Sequence, residues 1–147
     1  SEAADFGTGE TARKKSWACA MAGVPVMILG MDIAGTSVSD LEDCGRLVRF
    51  MTSTAFNSMK PADELAFGST EYVLADPGRS YILHSSTCKE TLGLKTIKPG
   101  TYRLRWFDCA TGRKKAGTQK VTQQGKVLFH KPEGIGPETA LYCAARQ

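Results

Sequence analysis

The segment Tyr102-Arg-Leu-Arg-Trp-Phe-Asp108 alternates large apolar and cationic side chains: Tyr102, Leu104 and Trp106 fall on one parity, Arg103 and Arg105 on the other. A period of two sends successive side chains to opposite sides of a strand, so this stretch specifies one core face and one wet face. Residues Asp108 to Gly112 then supply turn chemistry, an Asp carboxylate that can hold the turn's backbone amides and a Gly that can take positive φ. Similar punctuation recurs at Asp76-Pro-Gly78, Lys98-Pro-Gly100, Gln124-Gly125 and residues 132–137. It predicts short antiparallel strands over 71–75, 80–85, 92–94, 101–108, 116–122, 127–130 and 139–144. Strands in this number make a β-sandwich. Its expected core is Tyr81, Leu83, Tyr102, Leu104, Trp106, Val127, Phe129 and Leu141.

The amino-terminal part has a different period. Residues 8–22 are helical in pattern: Thr8 or Thr11 can cap, Glu10 favours the positive end, Trp17 and Met21 recur at four-residue spacing, and Gly23 ends the run. Residues 24–29 form an apolar stretch without alternation, as expected of a parallel strand buried on both faces. A capping box, Ser39-Asp-Leu-Glu42, then opens a second helix whose stripe is Leu41, Cys44, Leu47, Val48 and Met51. Helix, strand and helix in this order are a slice of an α/β layer, which cannot close its own core. Trp17, Met21, Ile28, Leu41, Leu47, Val48 and Met51 are therefore expected to exceed what the sandwich alone can cover. Residues 54–66 are the expected linker. The predicted fold class is α+β, an amino-terminal helix-strand-helix followed by an antiparallel β-sandwich.

Composition narrows the function classes. With 41% hydrophobic and 23% charged residues in 147, the chain is neither disordered, collagenous nor coiled coil. Residues 17–31 carry no charge, but the run is broken by Gly23, Pro25 and Gly30 and is too short to span a bilayer. The net charge of +4 is uneven: residues 1–61 carry 6 Lys and Arg against 7 Asp and Glu, residues 62–147 carry 13 against 8. Neither basic triplet, Arg13-Lys14-Lys15 or Arg113-Lys114-Lys115, has the interleaved aromatics of a base-stacking platform, so solvated faces are expected rather than a nucleic-acid partner. The five cysteines, at 19, 44, 88, 109 and 143, have no metal or redox spacing, and an odd count forbids a complete internal disulfide set. Cys19, Cys44 and Cys143 sit in apolar contexts that suit small buried thiols. No basic n-region precedes an apolar stretch, and the chain opens on Ser1, which implies a processed or truncated amino terminus.

The runs 102–112, Tyr72-Val-Leu-Ala-Asp-Pro-Gly-Arg-Ser-Tyr81 and Lys131-Pro-Glu-Gly-Ile-Gly-Pro-Glu-Thr-Ala-Leu-Tyr142 together resemble a small carboxy-terminal β-sandwich known as the collagen-binding domain of a collagenase. In that family the sandwich follows an apiosidase-like glycoside-hydrolase barrel. The segments Trp17-Ala-Cys-Ala-Met-Ala-Gly23, Asp40-Leu-Glu-Asp43 and Phe50-Met51 resemble the barrel's last turn. The resemblance covers nearly the whole chain, with the Trp-Phe-Asp then Thr-Gly signature its most specific part.

The resemblance implies that residues 1–60 are the last β/α units of a barrel, with 24–29 its eighth strand, and that 61–147 are the accessory sandwich. It implies a nucleophile position at Glu2, where the seventh strand would end, and sugar-lining roles for Asp32 and, more weakly, Asp5. It implies no cofactor, no metal, a carbohydrate polymer or glycoside as partner, and a secreted or periplasmic location. Barrel strands one to six, with the expected general acid, are not among these residues. One carboxylate cannot both protonate and attack, so the chain is expected to be inactive by itself, complete beside a barrel-bearing chain. Two alternatives remain at this level. The sandwich is a stand-alone module for polysaccharide or fibrous protein, with Arg103, Arg105, Arg113, Lys114 and Lys115 offering a basic face to an acidic polymer. Or the chain is a self-associating assembly subunit, because an unpaired parallel strand seeks partners.

Overall fold

The computed structural model describes residues 9–23 and 38–146. Two helices, α1 (Gly9–Met21) and α2 (Val38–Thr52), precede nine antiparallel strands. These are β1 (Lys60–Pro61), β2 (Ala66–Gly68), β3 (Tyr72–Asp76), β4 (Ser80–Ser85), β5 (Thr91–Ile97), β6 (Gly100–Asp108), β7 (Lys114–Val121), β8 (Gly125–His130) and β9 (Thr139–Ala145). Six strands form one sheet in the order β1-β3-β4-β9-β6-β7, and three form a second in the order β2-β5-β8. The α+β class and the sandwich are as the alternation requires. The expected strand over 24–29, Ile28 and the Ser39 cap lie outside the described residues and side chains.

The pleat of the large sheet sorts its residues into two cores. Val73, Leu83, Leu141 and Trp106 are register partners in successive strands. They face the small sheet, whose Leu92, Leu94, Val127 and Phe129 fill the other half of that core. All eight residues expected in the sandwich core are buried there. One residue out of phase, Tyr72, His84, Ala140, Phe107 and Lys114 form another row of register partners, running to the β7 edge. This opposite face is also apolar near its centre and receives the helices.

Helical spacing selects what the helices bury. Trp17, Ala20 and Met21 of α1 and Leu47, Phe50 and Met51 of α2 recur at three and four residues and pack on Leu74, Ile82, Phe107 and Ala140 of the sheet. Trp17 stacks on His84 with ring planes 5° apart and centroids 5.2 Å apart, and tilts against Phe50 and Phe107. The sandwich therefore covers far more of the helical stripe than its pattern led one to expect. Trp17, Met21, Leu47 and Met51 are buried, and Leu41 and Val48, each 37% accessible, are the exposed members among the described residues. The physical reason is that the large sheet is apolar on both faces and supplies the second layer the helices need.

Residues 54–66 do not span freely between two halves. They make two 3-10 turns and lend β1 to β3 and β2 to β5, one edge strand to each sheet. An ion-pair cluster ties the helices to the strands: Arg13 donates to Asp43 of α2 at 3.1 Å and to Glu138, just before β9, at 2.7 Å. Hydroxyls of Thr52, Ser53 and Thr54 donate to the last carbonyls of α2 and close its end.

All five cysteines are free thiols. Burial raises the Cys143 thiol pKa to about 12 and that of Cys109 well above its ordinary value, so both stay protonated and unreactive at neutral pH. Cys143 is buried as its apolar context suggests, whereas Cys19 and Cys44 are half-buried.

Two measurements check this packing. Trp106→Ala is expected to cost about 3 to 5 kcal/mol in denaturant unfolding, the effect of emptying a large core site; a loss below about 1 kcal/mol would overturn its part in holding the core. The second concerns His84, whose pKa burial pushes down to about 4, with Glu71 acting weakly the other way. Its unfolded value lies near 6.5. Between these values the unfolded chain holds more protons, so stability falls as pH drops through that window and is untouched by this group above it. From pH 7 to pH 5 the wild type should lose about 2 kcal/mol more than His84→Phe. Equal losses in the two proteins would show that His84 is not the titrating group.

Candidate functional site

Where α2 runs out over the β6–β7 turn, the large sheet's outer face stops being covered and a cleft of about 240 Å³ opens. Its position follows from register: Phe107 pairs with Lys114, and Arg105 lies two residues before Phe107 on the same face. The floor is aromatic, Phe50 of α2 against Phe107 of β6 with centroids 5.1 Å apart. The walls are cationic, with Arg46 and Arg49 from α2, Arg105 from β6 and Lys114 from β7.

These cations differ in how they are held. Arg46 donates to Asp43 at 2.8 Å and to Glu42 at 3.4 Å, and the same Asp43 accepts from Arg13. Arg105 donates to the Ser53 carbonyl and hydroxyl, both at 2.9 Å, and lies over the Tyr142 ring at 5.2 Å. Both guanidinium groups are thus positioned in advance. The Arg49 guanidinium and the Lys114 ammonium have no hydrogen-bonded or ion-paired partner among the described residues, and Arg105 has no carboxylate partner there. Arg49 folds back over Gly45, where a Cβ would sit 3.0 Å from its Nη1. The cleft therefore holds a local excess of positive charge.

The third wall is the turn after β6. Asp108, buried, accepts from the amides of Ala110 and Thr111 at 2.9 and 3.0 Å and from that of Gly136 at 2.8 Å. This is the turn-holding role its place in the sequence suggests. Gly112 has φ +81°, and a Cβ there would meet the Arg46 side chain at 3.3 Å. Only glycine lets the turn lie this close to α2.

The five cations read as one basic face in the sequence are divided. Arg103, Arg105 and Lys114 share the helix-side parity of the sheet, whereas Lys115 pairs with Trp106 and takes the other. Arg113 turns away to the Gly134 carbonyl at 3.4 Å. Arg105 and Lys114 reach the cleft, and Arg46 and Arg49 join them from 56 or more residues earlier in the chain. The i, i+3 spacing of Arg46 and Arg49 marked a common helix face but not what that face would meet. Glu2, Asp5 and Asp32 lie outside the described residues. Among the described residues no three His, Cys, Asp or Glu side chains are grouped as metal ligands, and no helix is long and apolar enough to cross a membrane.

No protein-family model matches the chain, and no curated protein does. Solved structures do. A protein described as a glycoside hydrolase superposes with a TM-score of 0.64 at 13% identity over 92% of this chain and 36% of its own. A glycoside hydrolase family 5 protein from Bacteroides vulgatus ATCC 8482 superposes with a TM-score of 0.55 at 12% identity over 73% of this chain and 24% of its own. The chain thus has a glycoside-hydrolase-like fold and spans about a third or less of the length of these two structures.

Asp108→Ala should destabilise the protein by about 2 to 4 kcal/mol, because three backbone amides lose their acceptor. A thermal or denaturant shift near zero would mean that the turn holds itself without the carboxylate.

Proposed function

We propose that these residues are the carboxy-terminal portion of a carbohydrate-active, glycoside-hydrolase-like protein. In this reading residues 1–60 end a barrel, residues 61–147 are an accessory sandwich, and the whole acts outside the cytoplasm on a glycoside or carbohydrate polymer. The observation that carries the reading is the 92% share of the chain that superposes on part of a glycoside hydrolase. That share extends past the sandwich into the helical layer, which favours a joined unit over a free-standing module.

The chemistry follows from the mechanism such barrels use. Retaining hydrolysis needs two carboxyl groups about 5 Å apart, one attacking the anomeric carbon while the other protonates the leaving oxygen. Glu2 is the proposed nucleophile, Asp32 and Asp5 line the sugar, and the acid comes from barrel strands beyond these residues. No step proceeds without it.

The 147-residue chain alone is expected to show no turnover of aryl glycosides, and turnover by it would overturn the proposal. In a longer polypeptide that supplies the barrel, Glu2→Gln should lower kcat at least about 100-fold. An undiminished rate would remove Glu2 from the mechanism.

A further inference from the structure

We propose that the cleft between α2 and the β6–β7 turn binds the acidic group of an anionic glycan, a carboxylate or sulfate carried on a sugar ring. The inference rests on the carbohydrate-active reading above and adds the class of sugar to it.

Three observations converge. The first is charge: Arg49, Arg105 and Lys114 face one cleft with no carboxylate partner among the described residues. A guanidinium presents planar paired donors that match the oxygens of a carboxylate or sulfate, and two of the cleft's arginines are already oriented by other bonds. The second is the floor. Phe50 and Phe107, both buried, back the cleft with apolar material beneath the cations, which lowers the local dielectric and strengthens the pull of the guanidinium groups on an anion. The third is size: about 240 Å³ falls below the range of drug-sized pockets and suits one ring with its acidic substituent. A nucleic acid fits less well, because the cations converge on one cleft rather than tracking a backbone, and both phenylalanines are buried against the helical layer.

The test is calorimetric titration of the full chain with an oligogalacturonate tetrasaccharide, a heparin-derived tetrasaccharide, an uncharged xylotetraose, a tetranucleotide and inorganic sulfate. One of the two acidic sugars should bind at least about tenfold tighter than xylotetraose, and which one does identifies the acid as carboxylate or sulfate. Arg49→Ala with Lys114→Ala should weaken that binding at least about tenfold, since neither side chain supports the fold through a polar contact. Lys126→Ala removes a single positive charge from the outer face of the small sheet, where it lies over Phe67, and should change affinity less than about twofold. Equal affinity for xylotetraose, an equal loss in Lys126→Ala, or equally tight binding of the tetranucleotide or of sulfate alone would each overturn the assignment. Turnover by the barrel-bearing form is read separately. A longer protein that cleaves neutral glycosides while this cleft binds no acidic sugar keeps the first proposal and loses this one.

Discussion

Burial of the large sheet on both faces is the constraint from which the rest of the structure follows. Trp106 and Phe107 are adjacent in β6, so the pleat sends them to opposite sides, and both are buried. A two-layer sandwich would leave Phe107, Ile82, His84 and Ala140 facing water. The helices remove that cost, and in return the sheet covers Trp17, Met21, Leu47, Phe50 and Met51. Neither layer has another place among the described residues to hide its apolar face, so the helices and the sandwich form one packed body of three layers.

Polar groups within this body specify how the layers sit, a role that apolar contact performs poorly because it has little direction. Arg13 reaches from α1 to both Asp43 on α2 and Glu138 ahead of β9, and Asp43 passes the connection on to Arg46. Such partly buried pairs add little net stability over apolar replacements, yet losing one partner strands the others. They make a directional join between two helices and the segment leading into a central strand. Arg46 then stands at the cleft, so the same network that registers the helices also orients a wall of the candidate site.

The cleft exists because the covering layer is shorter than the sheet it covers. The α2 helix ends at Thr52, its last carbonyls taken by hydroxyls, while the sheet continues to β7, an edge strand rich in lysine. At that margin the aromatic floor meets cations from both layers. Edge strands in soluble proteins carry charge to discourage pairing with other strands, and here one such lysine, Lys114, also completes a cationic wall.

The local elements were legible in the residues themselves. Turn punctuation placed a strand at 80–85, where β4 lies, the Asp108 to Gly112 spacing announced its turn, and periodicity at three and four residues picked out Trp17 and Met21 of α1 and Leu47 and Met51 of α2, although Leu41 and Val48 of the same stripe stay exposed. These features depend on neighbours a few positions apart, so the chain alone determines them. What covered the helical stripe, where Arg46 and Arg49 would meet Arg105 and Lys114, and how residues 54–66 would lend a strand to each sheet were decided only in the tertiary structure. Each depends on contacts between residues far apart in sequence, and an apolar or charged side chain carries no record of which distant surface will meet it.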